Sequence, residues 1–264
     1  MNFTNKTFWV TGAASGMGKA VSVALAKYKA TVIISDRDAQ GLTDTAQSIE
    51  AAGGTAKVVI LDMSDSRAIT ESAALVLSEG YKIDGLYHFA GISQRSLVTE
   101  TPLENDRKIM EINFFGVVAL TKALLPHMIQ NGGGQLAAAS SLVGKFGFPY
   151  RSAYSASKHA LHGFFETIQA ENFQYNIHVS MLIGGGIQTN ISKFAINKEG
   201  QEHGKMDPGQ ANGITPEKAA QQILRGLKRD QREIPVGGSE LIILKIRRFL
   251  PGLHAKIIRK IKPM

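Results

Sequence analysis

The sequence predicts an α/β fold built as one domain. Short β-rich runs alternate with helical runs from residue 7 to 236, no Pro/Ser-rich linker interrupts them, and a glycine-rich turn joins the first strand to the first helix. The 264 residues suit a single domain of ordinary size, with no internal repeat or low-complexity tract. The expected division is residues 1–238 as that domain and 239–264 as a basic amphipathic helical extension.

The elements follow in order. Thr7–Thr11 is a short apolar run rich in β-formers. Gly12-Ala13-Ala14-Ser15-Gly16-Met17-Gly18 is the turn, and residues 19–28 read as a helix with Val21, Leu25 and Tyr28 on one face. A second strand, Thr31–Asp36, follows directly, and a third spans 57–61. Residues 102–131 and 152–175 read as long helices, and 178–183 as the sixth strand.

Strand, glycine turn, helix and second strand are the context in which a glycine motif signals a dinucleotide site. Glycines admit close backbone approach to a pyrophosphate, and a helix N-terminus presents free N–H groups and partial positive charge. Asp36 ends the second strand, where a carboxylate accepts hydrogen bonds from an adenosine ribose. A carboxylate there also repels a ribose 2′-phosphate, which argues for NAD, while the adjacent Arg37 leaves NADP open. Asp62 stands either beside the adenine or as the N-cap of a helix beginning near Ser64.

Tyr154 and Lys158 stand four apart in a helical run, so both side chains share one face. An ordinary tyrosine hydroxyl titrates near pH 10, and acting as a base near neutrality requires stabilising its phenolate by about 4 kcal/mol. A nearby ammonium supplies part of that.

Taken together, Thr11-Gly12-(x3)-Gly16-x-Gly18, Asn113, Ser141, Tyr154 and Lys158 resemble the short-chain dehydrogenase/reductase family, over residues 5 to 236. The resemblance implies a Rossmann-type, doubly wound parallel sheet of seven strands with helices on both faces. It implies an enzyme that interconverts a secondary alcohol and a ketone by hydride transfer with NAD or NADP. Tyr154 would be the general acid/base, and Lys158 would lower its pKa and bind the nicotinamide ribose. Ser141 would hydrogen-bond the substrate oxygen, and Asn113 would hold a water linking Lys158 to solvent. The cofactor would be held by Thr11, Gly12, Ser15, Gly16, Met17, Gly18, Asp36, Arg37, Asp62, Met63, Ala90, Gly91, Tyr154, Lys158, Ile187 and Thr189. Relatives are commonly dimers or tetramers, pairing through the two long helices.

Two segments depart from the family pattern. His88-Phe89-Ala90-Gly91 replaces Asn-Asn-Ala-Gly, and His88 is expected to be structural, donating to a backbone carbonyl. Gly184-Gly185-Gly186 replaces the usual Pro-Gly, which removes a fixed φ and predicts a looser wall.

The chain has no cysteine, so disulfides and thiolate chemistry are excluded, and its seven histidines show no ligand spacing, so no metal is expected. The first strand begins by residue 7, leaving no room for a signal peptide, and no apolar run approaches the roughly 18 residues of a membrane span. A cytoplasmic enzyme is expected, with the tail offering contact to the inner face of a membrane.

Charge is unevenly placed. Residues 1–224 hold 19 basic and 19 acidic residues, while 225–264 hold 11 basic and 3 acidic, so the whole net charge of +8 lies in the last forty. Within residues 241–264, Ile246, Phe249, Leu250, Leu253, Ile257 and Ile261 form an apolar stripe, and Lys245, Arg247, Arg248, Lys256, Arg259, Lys260 and Lys262 fill much of the rest. Pro251-Gly252 divides the stretch into two short helices. Such a segment suits an anionic membrane surface, or else packs on the catalytic core or a neighbouring subunit. No nucleic-acid module is present.

Residues 190–213 are polar and carry five glycine or proline residues, and the family resemblance implies a substrate lid there. Phe146, Phe148 and Tyr150 are candidate pocket walls, and Phe194 and Ile196 candidate caps. An apolar pocket beside such a tail would suit a lipophilic alcohol or ketone: a steroid, retinoid or fatty-acyl ketone. The rival is a non-catalytic NAD(P)-binding regulatory or membrane-associated protein on the same fold. Such proteins lack the Tyr or Lys, and this chain has both.

Overall fold

The computed structural model describes residues 2–261, so Lys262 lies outside the described residues. Seven strands form one parallel sheet in the order β3-β2-β1-β4-β5-β6-β7. They are β1 (Thr7–Thr11), β2 (Thr31–Asp36), β3 (Thr55–Ile60), β4 (Gly85–His88), β5 (Gly134–Ser141), β6 (Ile177–Gly184) and β7 (Glu233–Val236). Helices α1 (Gly16–Ala26), α2 (Ala39–Ala51) and α8 (Pro216–Lys228) cover one face. Helices α3 (Ser66–Ser78), α4 (Leu103–Met110), α5 (Gly116–Gln130) and α6 (Ser152–Asn172) cover the other. The short α7 (Pro208–Ala211) precedes α8, and α9 (Ile242–Phe249) and α10 (Pro251–Lys260) end the chain. The expected doubly wound, seven-stranded sheet is the observed one.

Burial on both faces explains the strand composition. Along β1, Phe8 and Val10 enter the α1/α2/α8 core and Trp9 enters the opposite one, because successive side chains alternate. Each such fully buried side chain contributes about 1.5–3 kcal/mol. Trp9 Nε1 donates to Ser35 Oγ at 3.0 Å, which satisfies the one polar group this packing buries on the indole.

The order reverses between β1 and β4, which pair in parallel from Phe8↔Gly85 to Thr11↔His88. Helices diverge to opposite faces there, opening a cleft at the carboxyl ends of the strands. The long helix expected at 102–131 is two helices joined by a single π-helical turn, Glu111–Phe115. The stretch Leu103–Gln130 is long and apolar enough to cross a membrane by length and composition, with an 18-residue segment of mean hydropathy 1.5. Here it is a core element: Ile109, Leu120, Leu124 and Met128 are fully buried within the protein.

Candidate active site

Helix α6 carries Tyr154 and Lys158. The chain enters it through Tyr150, in a left-handed conformation with φ +64, and Arg151 gives no side-chain cap. Gln94, from the loop after β4, does that work. Its Oε1 accepts from Ala153 N at 2.9 Å, and its Nε2 donates to Ser152 Oγ at 3.1 Å and to Thr101 Oγ1 at 2.9 Å. The turn that carries Tyr154 is thereby fastened to the loop that follows the cofactor cleft. Tyr154 and Lys158 are both buried, with Lys158 Nζ 5.7 Å from the Tyr154 ring centroid.

Lys158 Nζ donates to the Ala139 carbonyl of β5 at 2.7 Å and stands behind Gly91, where an added Cβ would lie 3.4 Å from it. Burial lowers the Lys158 ammonium to about 8. Asn113 lies in the π-helical turn. Its Oδ1 accepts from Ile92 N at 2.8 Å, and its Nδ2 donates to Ile92 O at 2.9 Å and to Ser157 Oγ at 3.0 Å. Both amide protons are in use, so the side chain ties the segment after β4 to α6. It retains no proton to donate to a water.

Ser141 ends β5, and its hydroxyl accepts from Val143 N at 3.3 Å. Burial pushes the Tyr154 hydroxyl above the ordinary tyrosine range; Arg151, a side-chain hydrogen bond with Ser141, and Arg95 pull it back in part. Arg95 and Arg151 are thus cations acting on this hydroxyl that the sequence did not show, while Lys158, expected in that role, lies 5.7 Å from the Tyr154 ring centroid and donates to the Ala139 carbonyl.

The arginines belong to a cluster with no sequence signature. Asp207, from the 190–213 segment, is buried and accepts from Arg95 Nε at 3.2 Å, Arg95 Nη2 at 2.5 Å and Arg151 Nη2 at 2.6 Å. Arg95 also donates to Ser93 Oγ at 2.8 Å. Burial lowers Arg151 to about 10, with the Arg95 charge adding to that and Asp207 opposing it. Sequence separations of 56 and 112 residues hide these pairs from any local reading.

Two cavities meet at this machinery. The smaller, about 300 Å³, lies over the β1/β4 switch point and is lined by Gly12, Ser15, Gly16, Met17, Gly18, Asp36, Arg37, Asp62, Met63, Ala90, Gly91 and Thr189 from the expected cofactor set. Gly12 has φ +68, and a Cβ there would meet Ala90 N at 2.5 Å, so no larger residue fits. Ser15 heads α1 without a side-chain capping bond, leaving first-turn amides for a ligand. Asp36 Oδ2 accepts from Ala14 N at 3.3 Å, which aims the carboxylate at the cleft. Asp62 is not a helix cap: α3 is capped by Asp65, which accepts from Arg67 N and Ala68 N. Burial raises Asp62, but hydrogen bonds from Ser64 and the Arg37 and Lys108 charges outweigh it and leave the carboxyl below its usual range.

Four of the expected cofactor residues, Thr11, Tyr154, Lys158 and Ile187, stand elsewhere. Thr11 lies beneath the cleft, its hydroxyl accepting from Ala90 N at 3.3 Å, because its position in β1 points it into the sheet. Lys158 lines neither cavity, being screened by Gly91, and Ile187 lines the larger cavity with Tyr154. The residues that do line the cleft fit a dinucleotide: unpaired amides for a pyrophosphate, glycines for close approach, and a carboxylate at the end of β2 for a ribose.

The larger cavity, about 650 Å³, is lined by Ser141 and Tyr154, with Val143, Phe146, Phe148 and Ile187 as apolar walls and Arg95, Arg151 and Asp207 as its polar part. The tail, in the core-packing alternative that its sequence left open, supplies a further wall. Ile242, Ile243 and Ile246 of α9 and Ile257, Ile258 and Ile261 at α10 close over it. Much of the tail's apolar stripe is thus pocket lining, and His254 fastens α10 by packing edge-on against Phe146, with centroids 4.6 Å apart. The tail divides into two helices at Pro251, as expected.

Other expected walls differ. Tyr150 does not line the cavity, since its left-handed backbone turns it away; Ile196 packs with Ile109 and Ala153; and Phe194 borders the cofactor cleft. The triple-glycine wall is tied down rather than left to itself. Glu240 Oε1 accepts from Gly186 N at 2.8 Å and Gly238 N at 3.0 Å, and Gly185 N donates to Val236 O at 2.8 Å. A Cβ on Gly185 would meet Glu240 Oε1 at 2.3 Å, so the glycine is what lets the carboxylate in. His88 is structural, but its partner is a hydroxyl: Nε2 lies 3.0 Å from Thr121 Oγ1. Burial, then the Lys158 charge, lowers His88 to about 3, so the ring is neutral. Folding also brings His162, Glu166 and Glu233 within 4.8 Å of one another, with the Lys145 ammonium paired to Glu233.

Comparison with known proteins agrees with this geometry. The family model for short chain dehydrogenases matches residues 6–200. Dehydrogenase/reductase SDR family member 7B of Xenopus laevis is 39% identical over 256 residues, covering 94% of this chain and 79% of the relative. The Drosophila melanogaster dehydrogenase/reductase SDR family protein 7-like is 36% identical, covering 97% and 80%. Among solved structures, a short-chain dehydrogenase from Streptomyces avermitilis superimposes with TM-score 0.79 at 27% identity, covering 97% of this chain and 96% of the other. A short-chain dehydrogenase/reductase from Burkholderia phymatum, determined in complex with NAD, superimposes with TM-score 0.83 at 20% identity, covering 100% and 98%. The chain belongs to the short-chain dehydrogenase/reductase family of oxidoreductases.

Proposed function

We propose that the protein interconverts a secondary alcohol and a ketone on a lipophilic small molecule, with Tyr154 as general acid/base. The observation that carries this is the placement of Tyr154 and Ser141 on an apolar cavity of about 650 Å³ that adjoins the glycine-lined cleft. A nicotinamide dinucleotide in that cleft supplies the acceptor or donor of hydride. Gly12, Ser15, Gly16, Met17 and Gly18 hold its pyrophosphate through backbone N–H groups, and Asp36 holds the adenosine ribose. NAD is the preferred form, because a second negative charge beside Asp36 is unfavourable; Arg37 on the same cleft is the residue that would accept a 2′-phosphate. The NAD complex of the Burkholderia phymatum protein supports the dinucleotide reading.

In the oxidising direction, the ionised Tyr154 hydroxyl takes the substrate hydroxyl proton while Ser141 donates a hydrogen bond to the substrate oxygen. In the reducing direction, Tyr154 returns the proton. Lys158 contributes a buried cation behind Gly91 and fixes β5 against α6 through Ala139. Asn113 holds the Ile92 backbone, and so the wall between the two cavities. Homo-oligomer formation through α5 and α6 is supported by half-exposed Phe115, stacked edge-on against Phe114, which in turn packs on Phe164.

The test is a screen of secondary alcohols and ketones with NAD and NADP, in both directions, following reduced-nicotinamide absorbance. Turnover that is lost in Tyr154→Phe supports the reading. Dinucleotide binding without turnover of any substrate would favour the regulatory alternative.

A further inference from the structure

The apolar rows of α9 and α10 do not stop where the cavity stops. Ile242, Ile243 and Ile246 face the cavity, and the same helical face continues one turn later to Phe249. On α10, Ile257 and Ile258 face the cavity, and one turn earlier the stripe reaches Leu253 beside the buried His254. At the corner between the helices the stripe overruns the body of the protein. Phe249 is 71% exposed, Leu250 54% and Leu253 47%, with exposed Pro251 and Gly252 between them.

The two helices that meet at this tip carry only basic charge. Lys245, Arg247, Arg248, Lys256, Arg259 and Lys260 are all exposed, and no acidic residue lies between 241 and 264. Arg248 stacks over the Phe249 ring at 5.8 Å from its centroid, which keeps one cation beside the aromatic of the tip. A tip of one aromatic and two leucines, on helices whose only charges are basic, matches the boundary of an anionic bilayer. The apolar side chains enter the acyl region while arginine and lysine remain at the phosphate level. An apolar patch buried against protein would more often carry acids among the bases; this one carries none.

We propose that the Phe249–Leu253 corner docks on an anionic lipid surface and that the isoleucine rows behind it lead lipophilic substrate from that surface into the catalytic cavity. The docking surface is the tip alone. Ile243, Ile246, Ile257 and Ile258 behind it are half-buried against the cavity. The substrate-delivery part rests on the oxidoreductase reading above; the docking part does not.

The experiment is co-sedimentation of the full chain with phosphatidylcholine vesicles, with and without phosphatidylserine. The wild type is expected to bind the phosphatidylserine vesicles, and to release as salt is raised. Phe249→Ser/Leu253→Ser is expected to weaken binding at least tenfold, and Arg247→Gln/Arg248→Gln by about fivefold for each charge removed. These side chains are exposed, so unchanged circular dichroism and dinucleotide affinity check that the variants are folded. Tyr154→Phe is expected to bind vesicles like the wild type, which separates this proposal from the catalytic one. Wild-type protein that stays in the supernatant with phosphatidylserine vesicles overturns the proposal. So does binding that the tip substitutions leave intact, or a tip-dependent dimer in the absence of lipid, which would make a second copy the occupant.

Discussion

Arg151 donates through Nη2 to Asp207 at 2.6 Å, and so joins the start of α6 to the 190–213 segment that borders the larger cavity. The same carboxylate carries Arg95, so two buried guanidinium groups share one negative charge. The surplus positive field falls on Tyr154, three residues along α6 from Arg151, and opposes the upward push of burial on its hydroxyl.

Removing that field should be visible in a pH profile. On the mechanism proposed above, the active form in alcohol oxidation is the phenolate, so activity would rise with pH through the Tyr154 pKa. Arg151→Gln removes a cation that favours the phenolate, and the rise in kcat/KM is expected to move to higher pH. Arg151→Lys keeps the charge and should stay close to wild type. Steady-state kinetics across pH, with both variants compared at saturating dinucleotide, checks the direction.

Tyr154→Phe removes the proton carrier and leaves the ring. Turnover is expected to fall by about a thousandfold, the usual scale of general acid/base catalysis. The glycine-lined cleft is a separate cavity that Tyr154 does not line, so dinucleotide affinity by calorimetry should change little.

Acid stability should carry the signature of His88. Its folded pKa of about 3 lies below the ordinary histidine value of 6.5, so between these limits the unfolded chain binds a proton that the folded chain excludes. Stability is therefore complete above pH 6.5 and falls as pH drops, by roughly 1.4 kcal/mol per pH unit for this one group. His162, lowered to about 4, adds a second contribution in the upper part of the same window. His88→Asn should flatten the acid limb of a denaturation midpoint plotted against pH, without abolishing it. An unchanged slope would mean that His88 is protonated in the folded state.

The tail isoleucines should set substrate length. Ile246→Phe adds bulk to the cavity wall and is expected to move the optimum of a homologous series of secondary alcohols toward shorter chains. Ile258→Ala should move it the other way. A change of about tenfold in relative kcat/KM between the two ends of the series corresponds to about 1.4 kcal/mol.

Much of this was legible before folding because it is local. A glycine turn between a β-run and a helix, an acid closing the second strand, and Tyr154 and Lys158 one helical turn apart are all statements about near neighbours in the chain. The helix boundary at Pro251 is of the same kind, since a missing N–H and a fixed φ act within one turn. What the sequence did not show are partners distant in the chain. Lys158 stands beside Tyr154 as its spacing implies, 5.7 Å from the ring centroid, but its bond to Ala139 O and the added charges of Arg95 and Arg151 come from other elements. The triple glycine read as loose because nothing nearby restrains it, and the restraint is Glu240, more than fifty residues on.

The sequence by itself determined the fold class, the two-helix tail and the residues around which a dinucleotide and an acid/base tyrosine can be arranged, because periodicity, turn chemistry and short spacings act over a few residues. Only the tertiary structure decided what encloses the substrate cavity. A guanidinium–carboxylate pair and an isoleucine row become neighbours when β4, α6, the 190–213 segment and the tail converge at the carboxyl edge of the sheet. Contact energies there depend on separation in space, which a linear chain does not display.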